Sequence, residues 1–109
     1  MNNNRPEPSN NREELHYLLV DLFGSEKVYY QPPENLKMEY PCIRYSVSDV
    51  AGRSADNMHY HLTKRYEIVV IDKRPDNPVI DKLLELQMAT FNRHYVSDGL
   101  NHDIIYLYY

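Results

Sequence analysis

The chain has no tryptophan, one cysteine, two phenylalanines and three glycines in 109 residues. A single cysteine excludes an internal disulfide framework and a four-cysteine zinc site. Cys42 stands between Pro41 and Ile43, with only Arg44 as a neighbouring cation. It therefore reads as a small buried apolar residue rather than a reactive thiolate. Three glycines leave no glycine-rich loop to cradle a phosphate, and no serine stands in a GxSxG elbow. No run approaches the ~18 apolar residues of a membrane-spanning helix, and the start of the chain has no apolar signal core. An excess of positive charge is also missing. Twelve Lys and Arg against sixteen Asp and Glu give a net charge of −4, the wrong sign for a domain that binds nucleic acid by neutralising phosphates.

Tyrosine is abundant instead, with eleven residues, three of them in the closing Tyr106-Leu107-Tyr108-Tyr109. A tyrosine combines a large apolar ring with a polar tip, so it can be half buried, and it is enriched where proteins meet. A chain of this length forms one domain and buries only about two thirds of its unfolded surface. Such a core cannot take in eleven rings with every hydroxyl satisfied. The composition points to a protein that builds surfaces for other proteins.

Residues 1–11 hold five asparagines and two prolines, which give no apolar face to bury, so they read as a disordered tail. A single domain over residues 12–109 follows. Leu15, Leu18, Leu19 and Leu22 recur at helical spacing and predict a helix over 12–23, with Asn10 or Asn11 as its cap and Gly24 closing it. Val28-Tyr29-Tyr30 is a short strand that Pro32-Pro33 must end. Residues 42–50 alternate, with Ile43, Tyr45 and Val47 on one face. Residues 59–72 read as the longest strand, apolar on both faces at its end and hence central in the sheet. A second helix is expected over 77–87, started by Asp76-Asn77-Pro78. Strands over 91–96 and 104–109 follow, joined by a turn-rich 97–102. The pattern predicts an α+β fold: a mainly antiparallel sheet of four to five strands with two helices packed on one face.

The chemistry-bearing residues do not assemble into a site. His59 and His61 form an HxH pair, and His94, His102 and Asp103 could add ligands, but none lies at a diagnostic metal-ligand spacing. A small metal-dependent hydrolase built on His59, His61 and His102 is the alternative from a different class. His61-Leu62-Thr63 also matches one HxT element of the two-histidine phosphoesterases. Those enzymes need the element twice, as base and acid, and His94-Tyr95-Val96 lacks the hydroxyl. Lys64-Arg65 and Lys73-Arg74 read as solvated strand ends. The expectation is a protein that is not an enzyme, with no catalytic residue, cofactor or metal.

Several segments taken together say something sharper. They are Gln31-Pro32-Pro33-Glu34-Asn35-Leu36-Lys37-Met38, Tyr40-Pro41-Cys42-Ile43, Ala55-Asp56-Asn57, Lys64-Arg65-Tyr66-Glu67-Ile68-Val69-Val70-Ile71-Asp72 with Arg74-Pro75-Asp76, Asn92-Arg93-His94-Tyr95, and Leu100-Asn101-His102-Asp103-Ile104-Ile105-Tyr106-Leu107-Tyr108. In this order and spacing, from Glu14 to Tyr109, the chain resembles the small tail terminator (tail completion) proteins of long-tailed phages and prophages.

The resemblance implies a virion protein at the head-proximal end of the tail, assembled in the bacterial host cytoplasm. It would form a ring, commonly of six subunits and monomeric in solution, on the last ring of the tail tube. Its partners would be itself, the major tail tube protein and a head-completion or connector protein, with DNA passing through the bore and no membrane involved. A head-closure protein is the nearest rival reading. Under the ring reading, the polar stretch 49–61 is a contact surface, with Asp49, Arg53, Asp56, Met58, His59 and Tyr60 as its interface residues. Tyr29 and Tyr30 join them if they lie on an edge strand that pairs across subunits.

Overall fold

Helix α1 (Asn11–Phe23) forms where the leucine stripe places it. The Asn10 side chain accepts the Glu13 N–H at 2.8 Å, Glu13 and Glu14 occupy the first turn, and Gly24 ends the helix at φ 77. That left-handed conformation costs glycine little and most residues about 1 kcal/mol or more. The structure, a computed structural model, describes residues 5–51 and 63–109. After α1 come β1 (Val28–Tyr30), β2 (Cys42–Ala51), β3 (Thr63–Asp72), α2 (Val79–Leu84), β4 (Ala89–Ser97) and β5 (Leu100–Tyr108). Of the tail read over residues 1–11, Asn11 already belongs to α1. Arg5 pairs with Asp21 at 3.0 Å and lies 4.3 Å from the Tyr17 ring. Replacing Asn10 by alanine should lower stability by about 1 kcal/mol, or roughly 4–8 °C in melting temperature. An unchanged melt would show that the cap contributes nothing.

The five strands form one mixed sheet in the order β1-β2-β3-β5-β4, so β3 is central, as its two apolar faces predicted. Only the β1–β2 pairing is parallel; the others are antiparallel. Among the described residues three elements, α2, β4 and β5, differ from their sequence-based bounds by more than one residue. Helix α2 spans six residues rather than eleven, because Met88 takes φ 72 and turns the chain into β4. The expected connection over 97–102 shrinks to Asp98-Gly99, both at positive φ (54 and 73). Two consecutive residues at positive φ make the mirror-image turn whose twist matches a hairpin.

Burial follows strand alternation. Ile43 and Tyr45 of β2, Tyr66, Ile68 and Val70 of β3, and Ile105 and Leu107 of β5 form one apolar cluster. Leu15, Leu19 and Val20 from α1 and Val79 and Leu83 from α2 belong to that same cluster. Each fully buried isoleucine or leucine contributes about 1.5–3 kcal/mol. Cys42, Val69, Ile71 and Ile104 form a second cluster, against which Tyr29, Met38, Tyr95 and Leu100 pack. Among the described residues no helix contributes to it.

Candidate functional site

Two strands bound the sheet, and they are unlike. β1 is a three-residue edge beside β2, ended by Gln31 at φ 42 and then Pro32. β4 is a nine-residue edge beside β5. Every residue of β4 is exposed or only half buried. Phe91 is 43% and Val96 60% exposed, and Met88, just before the strand, is 60% exposed. Those three make up most of the large apolar side chains that face solvent among the described residues. A long outer strand carrying apolar side chains offers unpaired backbone donors and acceptors to another chain. A bulge between Phe91 and Arg93 shifts its register against β5.

The register continues across the whole sheet. Tyr30 pairs with Tyr45, Tyr45 with Ile68, Ile68 with Ile105 and Ile105 with Phe91. This row runs from one edge to the other and ends in an aromatic ring at each side. The next row, on the opposite face, is Tyr29, Arg44, Val69, Ile104 and Arg93. It ends in a tyrosine at one edge and an arginine at the other. The outer face also carries stacked side chains: Tyr95 on His102 with centroids 4.5 Å apart, Arg65 over Tyr106 at 4.4 Å and Arg93 over Tyr95 at 5.1 Å.

Of the interface residues expected from sequence, Tyr29 and Tyr30 do lie on an edge strand, both half buried. Asp49 stands on β2 opposite Arg65. Arg53, Asp56, Met58, His59 and Tyr60 lie outside the described residues, as does His61. The sequence places a strand over 91–96 but no interface residue on it, although Phe91, Val96 and the Asp98-Gly99 turn signal an apolar outer hairpin.

The remaining histidines do not converge. His102 is held on one face by its stack on Tyr95, with Nδ1 3.0 Å from the Leu100 carbonyl. His94, the neighbour of Tyr95, faces the opposite side, its Nε2 3.1 Å from Asn101 Oδ1. Among the described residues no three His, Cys, Asp or Glu side chains gather where a metal could sit. Burial raises the Asp103 carboxyl above its ordinary range, with the His94 charge acting against it. An open cleft of about 440 Å³ beside the start of α1 is lined by Asn10, Asn11, Arg12, Tyr30, Lys64 and Tyr109. There Arg12 stacks over Tyr30 at 4.6 Å, and Tyr109 donates to Glu14 at 3.1 Å.

Cys42 is fully buried, and burial pushes its thiol up to about 11 despite nearby Arg44 and Lys27. Thiolate, the reactive form, is therefore scarce at neutral pH. A thiol reagent should leave the native protein unlabelled at pH 7.5 and label one site after denaturation. Rapid native labelling would contradict the buried position.

The fold is thus α+β, and its sheet ends in an exposed outer strand that carries apolar side chains. The chain matches no protein-family model, no curated protein and no solved structure.

Proposed function

We propose that the protein is a phage tail terminator, which caps the growing tail tube as a ring of identical subunits and presents the surface that receives the head. The observation that carries this reading is the ordered set of segments from Glu14 to Tyr109 that resembles that family. A capping protein needs adhesive faces and no reacting group. The α+β fold, the half-buried tyrosines and the exposed apolar edge at β4 support that requirement. Subunits joined head-to-tail close into a ring when the rotation between neighbours returns to its start. Head-to-tail joining needs two unlike contact surfaces on each subunit, and the two sheet edges are unlike.

The test is kinetic. Purified protein added to polymerising tail tube subunits should stop elongation and leave short tubes. Elongation that continues unchanged at saturating protein would contradict the proposal. A head-closure protein would leave elongation unaffected and bind the connector instead.

A further inference from the structure

We infer that neighbouring subunits join edge to edge, the outer strand β4 of one copy pairing antiparallel with β1 of the next, with Phe91 against Tyr30 on one face and Arg93 against Tyr29 on the other. The inference rests on the ring reading for its biological setting but on the sheet itself for its chemistry. β1 runs parallel to β2, and each later neighbour in the sheet reverses direction. β4 is therefore antiparallel to β1, so two copies set side by side in one orientation meet in an antiparallel ladder. Among the described residues nothing pairs with the outer side of either strand.

The two rows that cross the sheet make the ends complementary. Tyr30 and Phe91 end one row, and their rings would form a cross-strand aromatic pair, a favoured combination in sheets. Tyr29 and Arg93 end the row on the other face, where the guanidinium would lie over a tyrosine ring, as it does now over Tyr95 at 5.1 Å. Charge does not select the pairing: β4 carries Arg93 and His94, and around β1 Glu26, Glu34 and Glu39 are balanced by Lys27, Lys37, Arg44 beside Tyr29 and Arg12 over Tyr30.

Self-pairing of two β4 strands fits less well. At full overlap Arg93 would face Arg93, and like charges directly opposite destabilise a ladder. The short β1 sets the strength of the junction, for three residues span only about 10 Å. Such a contact is weak between two free subunits. It gains when every copy is held on a template and each new contact is intramolecular. This explains how a chain could stay monomeric in solution and still close on a tube end.

The experiment is thiol cross-linking of the full chain with a short bis-maleimide, without tail tubes and at protein concentrations high enough to populate a weak contact, with Cys42 silent because it is buried and unreactive. The Tyr30→Cys/Phe91→Cys variant should give a ladder of trimers and larger species, and a mixture of the two single variants should give dimers only. Tyr29→Cys/Arg93→Cys should behave in the same way from the other face, so a folding defect in one pair leaves the other to decide. Thermal melts establish which variants are folded. Dimers from Phe91→Cys alone would show self-pairing and overturn the inference, as would absence of cross-links in both folded pairs. Rings seen on tube ends without cross-linking would overturn this contact and leave the terminator reading standing. A ladder from a protein that never binds tubes would do the reverse.

Discussion

Phe91→Asp should abolish capping of tail tubes while leaving the subunit folded. Phe91 is 43% exposed on an outer strand, so removing its ring costs the fold only part of a buried phenylalanine's contribution, about 1–2 kcal/mol. At an interface, a buried aromatic anchor commonly contributes about 2 kcal/mol or more. That is roughly thirtyfold in affinity at each junction, and a closed ring repeats the loss at every junction. The aspartate would also place an unpaired carboxylate against the Tyr30 ring. The expected result is a subunit that still melts cooperatively at a modestly lower temperature, with tubes of uncontrolled length across the whole range of protein concentration tested. A folded variant that caps tubes as the wild type does would remove β4 from the working surface. Attention would then pass to Met58 and Tyr60, which the sequence alone singles out.

The second large effect has the opposite sign. Tyr66 is fully buried, and among the described residues its hydroxyl is the one buried side-chain polar atom without a hydrogen-bond partner. Burial raises its ionisation above the ordinary tyrosine range. A buried hydroxyl with no partner costs about 1–3 kcal/mol. Tyr66→Phe should therefore stabilise the protein by about 1–2 kcal/mol, read as a higher urea midpoint with the slope unchanged. Tyr45, equally buried and 6.1 Å away between ring centroids, supplies the contrast. Its hydroxyl lies 2.8 Å from His16 Nδ1. Tyr45→Phe should cost about 1–3 kcal/mol, because it leaves the half-buried imidazole without that partner. Equal shifts in the two variants would contradict the assignment.

His16 adds a pH dependence to the same cluster. Burial, followed by the Arg12 charge, lowers its ionisation below the ordinary 6.5. The unfolded chain then takes up the proton before the folded one does. This contribution is present above pH 6.5 and is lost as the pH falls below it.

Much of the fold was legible because burial imposes periodicity. The leucine stripe of α1 and the capping Asn10 were read from spacing, and so was the central position of β3, whose Val69 and Ile71 are apolar where a one-sided strand would be polar. The parallel pairing of β1 was not legible, since three residues between a turn and two prolines carry no orientation. α2 was over-extended because Leu86 continues the apolar stripe. In the structure Leu86 packs against the core from beyond the helix, after the chain has begun to turn. β4 was the hardest element to weigh. A solvent-exposed edge leaves little alternation, and the bulge at Asn92 moves Phe91 and Arg93 to opposite faces, although their spacing would put them on one. The candidate site lay in that strand for the same reason. Residues that meet a partner only in the assembly are not organised by the subunit's own core.

The most direct measurement of the central claim is electron microscopy of preassembled tail tubes incubated with gold-labelled protein. A terminator should place label at one end of each tube, with none along the wall, and labelled tubes should fail to elongate when fresh tube subunits are added. Label along the wall, at both ends alike, or at neither end would contradict the assignment.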